Sequence, residues 1–94
     1  MKLNICGHEF TIERHKDIHN EKDEHLDGQL DTDGQVIKIR EGLHAEKERE
    51  VLWHEIVHEI DEATGLGLTE QQVTSLGRAI PATIRANKWL GHTR

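Results

Sequence analysis

His54-Glu55-Ile56-Val57-His58 is the segment whose residue types and spacing can do chemistry. Two histidines four residues apart stand one above the other on an α-helix, about 40° apart around its axis. Their neutral imidazoles can grip one ion. Zn2+ takes such nitrogens at about 2.0–2.1 Å and keeps positions for a third protein ligand and a water. The ion lowers the pKa of that water toward about 7, and Glu55, beside the ligands, can take the proton and deliver it to a leaving amine. This is the residue logic of a zinc-dependent peptide hydrolase. A chain with 18 Asp and Glu and eight His meets the bare pattern by chance often enough that context must decide. The bland alternative is a solvated helix face carrying two incidental histidines.

Three sources can supply the third ligand. Asp61 shares the face of His54 and His58, but a carboxylate directly below them on one straight helix points along the axis. Glu70 opens the next helix, and a donor from a crossing helix closes a tetrahedron better, provided the two helices cross steeply. His92 or another histidine is the remaining choice. Tetrahedral geometry favours Glu70, which leaves Asp61 either to hold an imidazole in its tautomer or to be an ordinary surface carboxylate.

These residues need elements to position them. Leu3 and Ile5, a turn at Cys6-Gly7-His8-Glu9, then Phe10 and Ile12 read as a hairpin over residues 2–14. Residues 15–25 are charged and lack a face wide enough to bury, as in a loop or a frayed helical turn. Leu26–Leu30, a turn at Asp31-Thr32-Asp33-Gly34, and a strand at Gln35–Arg40 read as a second hairpin. That last strand can be internal, or an edge that pairs with an extended substrate. From Leu43 to Thr64 the period becomes helical, with Leu52, Trp53, Ile56, Val57, Ile60 and Ala63 on one stripe opposite the histidines. Gly65 is placed to end that helix in the left-handed region. Thr69-Glu70-Gln71-Gln72 opens another with a capping box. Val73, Leu76, Ala79, Ile80, Ile84 and Trp89 are its expected buried face, and Pro81 should kink it. The order of elements is α+β: a small, mainly antiparallel sheet packed on two helices, in one domain over residues 1–94.

Composition bounds the rest. The chain has 94 residues, 34% of them hydrophobic and 3% aromatic, so its core is thin and help from a metal is welcome. A net charge of −6 argues against binding nucleic acid through a basic face. No apolar run approaches the roughly 18 residues of a membrane span, and Met1–Gly7 is too polar for a signal peptide. A lone Cys6 can form neither an internal disulfide nor a thiolate cluster, which fits a reducing, cytoplasmic setting.

The stretch from Leu52 through His54-Glu55-Ile56-Val57-His58 to Asp61, with Gly65-Leu66-Gly67-Leu68-Thr69-Glu70-Gln71-Gln72-Val73, resembles small phage and prophage metallopeptidases of the ImmA/IrrE-like gluzincin type. Gly28 and Asp33–Ile39 resemble the strand pair that precedes the active-site helix in that family, so the likeness spans residues 26 to 85. It implies a minimal zincin-like core, His54, His58 and Glu70 as zinc ligands, Glu55 as catalytic base, a protein or peptide substrate, and a phage or prophage origin in a bacterial host. Thr74 stands where the family places Asp or Asn. The chain has no tyrosine to stabilise an oxyanion, so His8, His44, Arg78 or Arg85 must serve.

The other features have plainer readings: Cys6 beside Gly7-His8 as a turn or small-core residue rather than a second metal site, and His15, His19 and His25 as solvated loop residues rather than ligands of an adventitious metal. Trp53 and Trp89 read as packing residues, and Glu46–Glu50 as an exposed face with i,i+4 pairs. Two rival functions stand beside the peptidase: a catalytically silent module stapled by zinc, and a metal-free protein-binding domain such as an inhibitor of a host factor.

Overall fold

Alternation builds the first hairpin. β1 (Lys2–Ile5) and β2 (His8–His15) pair antiparallel with Leu3 opposite Phe10, so Leu3, Ile5, Phe10 and Ile12 share one face. Cys6 and Gly7 close it with φ of 51° and 89°, the primed turn whose twist matches the strands. Asn4 Oδ1 accepts the Gly7 N–H at 2.9 Å. The turn is tighter than expected, because His8 and Glu9 already belong to β2. The computed structural model describes residues 1–92, with side chains through residue 90.

β3 (Gly28–Asp31) and β4 (Val36–Arg40) form the second hairpin, antiparallel, around a turn in which Asp31 Oδ1 accepts the Gly34 N–H at 2.9 Å. β4 then lies parallel to β2, from Thr11↔Val36 to His15↔Arg40, giving the strand order β1-β2-β4-β3. The Gln35–Arg40 segment is thus an interior strand, and the edges beside open space are β1 and β3. Burial explains the insertion: Ile37 and Ile39 are 0% and 1% exposed, which an edge position between polar neighbours does not provide.

α1 (Ala45–Thr64) covers the apolar face of the sheet, with Val51 and Ile56 packed among Ile5, Phe10, Ile12, Ile37 and Ile39. The bidentate pair of Arg14 on β2 with Glu48 (2.6 and 3.2 Å) fastens its first turns, replacing the i,i+4 pairing expected for that residue. Glu59, buried, accepts the Thr32 hydroxyl at 3.0 Å and so ties α1 to the β3–β4 turn. Gly65, at φ 68°, ends the helix and donates its N–H to the Asp61 carbonyl.

α2 (Glu70–Ala86) rests on α1 and on a terminal 3-10 turn (Lys88–His92), and on no strand among the described residues. With one helix to lean on, it buries only a narrow stripe: Val73, Gly77 and Pro81, four residues apart. The wider face expected from its apolar residues is therefore not covered. Leu76 and Ile84 are 39% exposed and Trp89 64%. Pro81 sits within the helix, which continues past it to Ala86.

Candidate metal centre

The site is assembled from the middle of α1 and the first residue of α2. His54 and His58, one turn apart, set their rings edge to face with centroids 4.8 Å apart. The capping box at Thr69 fixes where α2 begins: its hydroxyl accepts the Gln72 N–H, and the Gln72 side chain accepts the Thr69 N–H. Left-handed Gly65 and Gly67 keep the connection short, and Asp61 Oδ1 accepts the Leu68 N–H at 2.9 Å within it. Glu70 then faces both imidazoles. Its Oε1 lies 2.7 Å from His54 Nε2 and its Oε2 3.1 Å from His58 Nε2.

Close helix packing makes this reach work. Gly77 lies against the backbone of His54, where an added Cβ would stand 3.2 Å from both its N and Cα. A larger residue there would push α2 away from the ligand pair. Proximity at Gly77 thus meets the requirement for a carboxylate donor on a second helix, and no sequence pattern short of the packed pair announces it.

Glu55, next to His54, reaches toward the edge strand and is 8% exposed. It packs beneath Gly28 of β3, where a Cβ would meet Val51 Cγ1 at 2.5 Å and Glu55 Oε2 at 3.1 Å. Burial pushes its carboxyl up to about 7, and the nearby Glu70 charge adds to the shift. A cleft of about 310 Å³ opens here, between the β3 end of the sheet and the two helices, with His54, Glu55, Gly28, Thr74 and Arg78 on its walls.

The structure brings together three of the residues singled out from sequence as ligands, His54, His58 and Glu70, with ligand atoms within 4.8 Å of one another. A tetrahedral ion with bonds of about 2.0–2.1 Å spaces its ligand atoms about 3.3 Å apart. Two imidazoles and a carboxylate are donors that zinc takes, and the Glu70 oxygens already stand 2.7 and 3.1 Å from the two ring nitrogens, so the donor set suits zinc by its chemistry. Asp61 is spent on the interhelix connection, away from the rings. The side chain of His92 lies outside the described residues. Among the four candidates for oxyanion stabilisation, Arg78 alone lines the cleft. Gly28 and Gly77, whose missing side chains shape the site, were not identified from the sequence as positioning residues.

No family model matches the chain, and neither curated proteins nor solved structures yield a match to it. Among the described residues no helix is long and apolar enough to cross a membrane. Function therefore has to be argued from this geometry.

Proposed function

We propose that the protein is a zinc-dependent peptidase in which His54, His58 and Glu70 hold the metal and Glu55 is the general base and acid. The observation that carries the reading is the convergence of ligand atoms from His54, His58 and Glu70, with His54 and the buried carboxylate of Glu55 together on the wall of one cleft. Zn2+ bound there would activate a water and polarise a peptide carbonyl. Glu55 takes the proton of the attacking water and gives it to the amide nitrogen as the C–N bond breaks. A carboxyl whose proton affinity is raised by burial suits both steps. Arg78, which shares the cleft wall with Lys47, is the cation assigned to the developing oxyanion.

The substrate is a protein or peptide in extended form. β3, not β4, is the sheet-edge strand beside this cleft among the described residues, so main-chain pairing would run along Gly28–Asp31. The resemblance to ImmA/IrrE-like gluzincins, and with it a cytoplasmic role in a phage- or prophage-bearing bacterium, supports the same reading. Glu55→Gln should keep zinc and lose cleavage of unfolded casein by about 10³-fold or more, measured on metal-loaded protein. An unchanged rate in that variant rejects the mechanism.

A second reading, a catalytically silent zinc-stapled interaction module, draws on the narrow α1–α2 contact along Val73, Gly77 and Pro81, which a shared metal would reinforce. Under it zinc removal separates the helices while Glu55→Gln leaves function intact. Absence of bound metal from purified protein would favour instead the metal-free protein-binding domain.

A further inference from the structure

A second set of nitrogen and oxygen donors lies between β2 and β3, outside the α1–α2 site. The charged stretch 15–25, expected as a solvated loop or frayed helical turn, is a largely exposed loop after His15, and it closes on itself. Ile18 is 4% exposed and anchors it. The Leu26 N–H donates to the Ile18 carbonyl at 2.8 Å, the Asn20 N–H donates to the Glu24 carbonyl at 3.1 Å, and His19 and His25 face each other as an antiparallel bridge. Their rings meet edge to face, centroids 4.3 Å apart, with His19 Nε2 3.1 Å from His25 Nδ1. Asp17 brings a carboxylate oxygen within 4.8 Å of a ring nitrogen of each. His15 stays apart, paired with Glu13 at 2.9 Å.

The remaining nitrogen of His19 decides what this contact can do. Its Nδ1 lies 2.9 Å from Asp23 Oδ1, so it donates its proton there and leaves a lone pair on Nε2. A carboxylate behind a histidine is the arrangement that fixes the tautomer and aim of metal ligands. With His25 in its Nε2–H tautomer, two lone pairs oppose each other across 3.1 Å. That spacing is within a few tenths of the about 3.3 Å between ligands of a tetrahedral ion. Two imidazoles and one carboxylate select a borderline transition metal over magnesium or calcium.

We propose that Asp17, His19 and His25 bind a second divalent transition-metal ion of the zinc class, with Asp23 orienting His19. The stapled segment leads directly into Leu26, Asp27 and Gly28 on the wall of the catalytic cleft, so the ion would hold that wall in place. The inference does not depend on the peptidase reading.

Equilibrium dialysis against micromolar zinc, followed by metal analysis, tests it. The native chain should bind two ions, and His19→Ala/His25→Ala should bind one. One ion in the native chain that this double variant removes means that the α1–α2 site fails and the loop site stands. Retention of the native stoichiometry by the double variant overturns the proposal. A second readout uses His54→Ala/His58→Ala, where only the loop site remains. Zinc at four times its dissociation constant should slow tryptic cleavage after Lys22 about fivefold, and an unchanged rate overturns the proposal.

Discussion

Two clusters in this chain offer the same donors, a pair of imidazoles and a carboxylate, and differ in what surrounds them. His54, His58 and Glu70 stand on two helices locked at Gly77, the imidazoles half-buried and Glu70 exposed, with the buried carboxylate of Glu55 and a cleft beside His54. Asp17, His19 and His25 stand exposed on a short closed segment, and their neighbouring carboxylate, Asp23, is used to aim a ring. Both sets of donors suit an ion, whereas the proposed hydrolysis also needs a proton acceptor kept out of water and a place for substrate. In that proposal buried Glu55 is the first and the β3 edge the second.

The sharpest way to break the comparison is to remove one imidazole from the helical pair. His54→Ala should cost the α1–α2 site zinc affinity by about 10³-fold or more while leaving the loop ion bound, read by dialysis. Equal loss of both ions would show that the clusters are not independent. Next in size is Gly77→Val. Its side chain meets the His54 backbone and should cost about 2–4 kcal/mol in denaturant unfolding, along with first-site zinc. Gly77→Ala, at 3.2 Å, should fall well below that.

The buried carboxylate gives a pH signature in metal-free protein. Glu55 has a folded pKa of about 7 against an ordinary 4.5, so the folded state binds the extra proton. Its contribution is therefore least unfavourable at low pH, becomes more unfavourable as pH rises from about 4.5 to about 7, and stays level above. Glu55→Gln should accordingly stabilise the apo chain at pH 8 by roughly 1–3 kcal/mol and leave it little changed at pH 4.5. Equal effects at both pH values would remove burial as the cause. The smallest effect belongs to the loop: Asp23→Asn should weaken zinc there about tenfold, with the α1–α2 site unaffected.

Local patterns were readable from sequence and long-range ones were not. His54, Glu55 and His58 fall within one helical turn, so their relation follows from the 3.6-residue period. The capping box at Thr69 marks the start of α2, and with it the place of Glu70. By contrast, nothing in Val36–Arg40 announces a parallel partner in β2, because strand pairing is a contest among remote segments. The apolar residues of α2 predicted a wide buried face, yet among the described residues only α1 and the short terminal turn are there to receive it, so Leu76 and Ile84 stay partly open. His19 and His25 looked like solvated loop residues because their meeting depends on a single anchor, Ile18, in an otherwise charged run.

The most direct measurement is a crystal structure of zinc-soaked protein with anomalous scattering at the zinc edge. The account predicts an ion bonded to His54 Nε2, His58 Nε2 and a Glu70 oxygen at about 2.0–2.2 Å, with Glu55 unbonded and a coordination position open toward the cleft. Rings turned away from any ion, or that position filled by another protein donor, would contradict it.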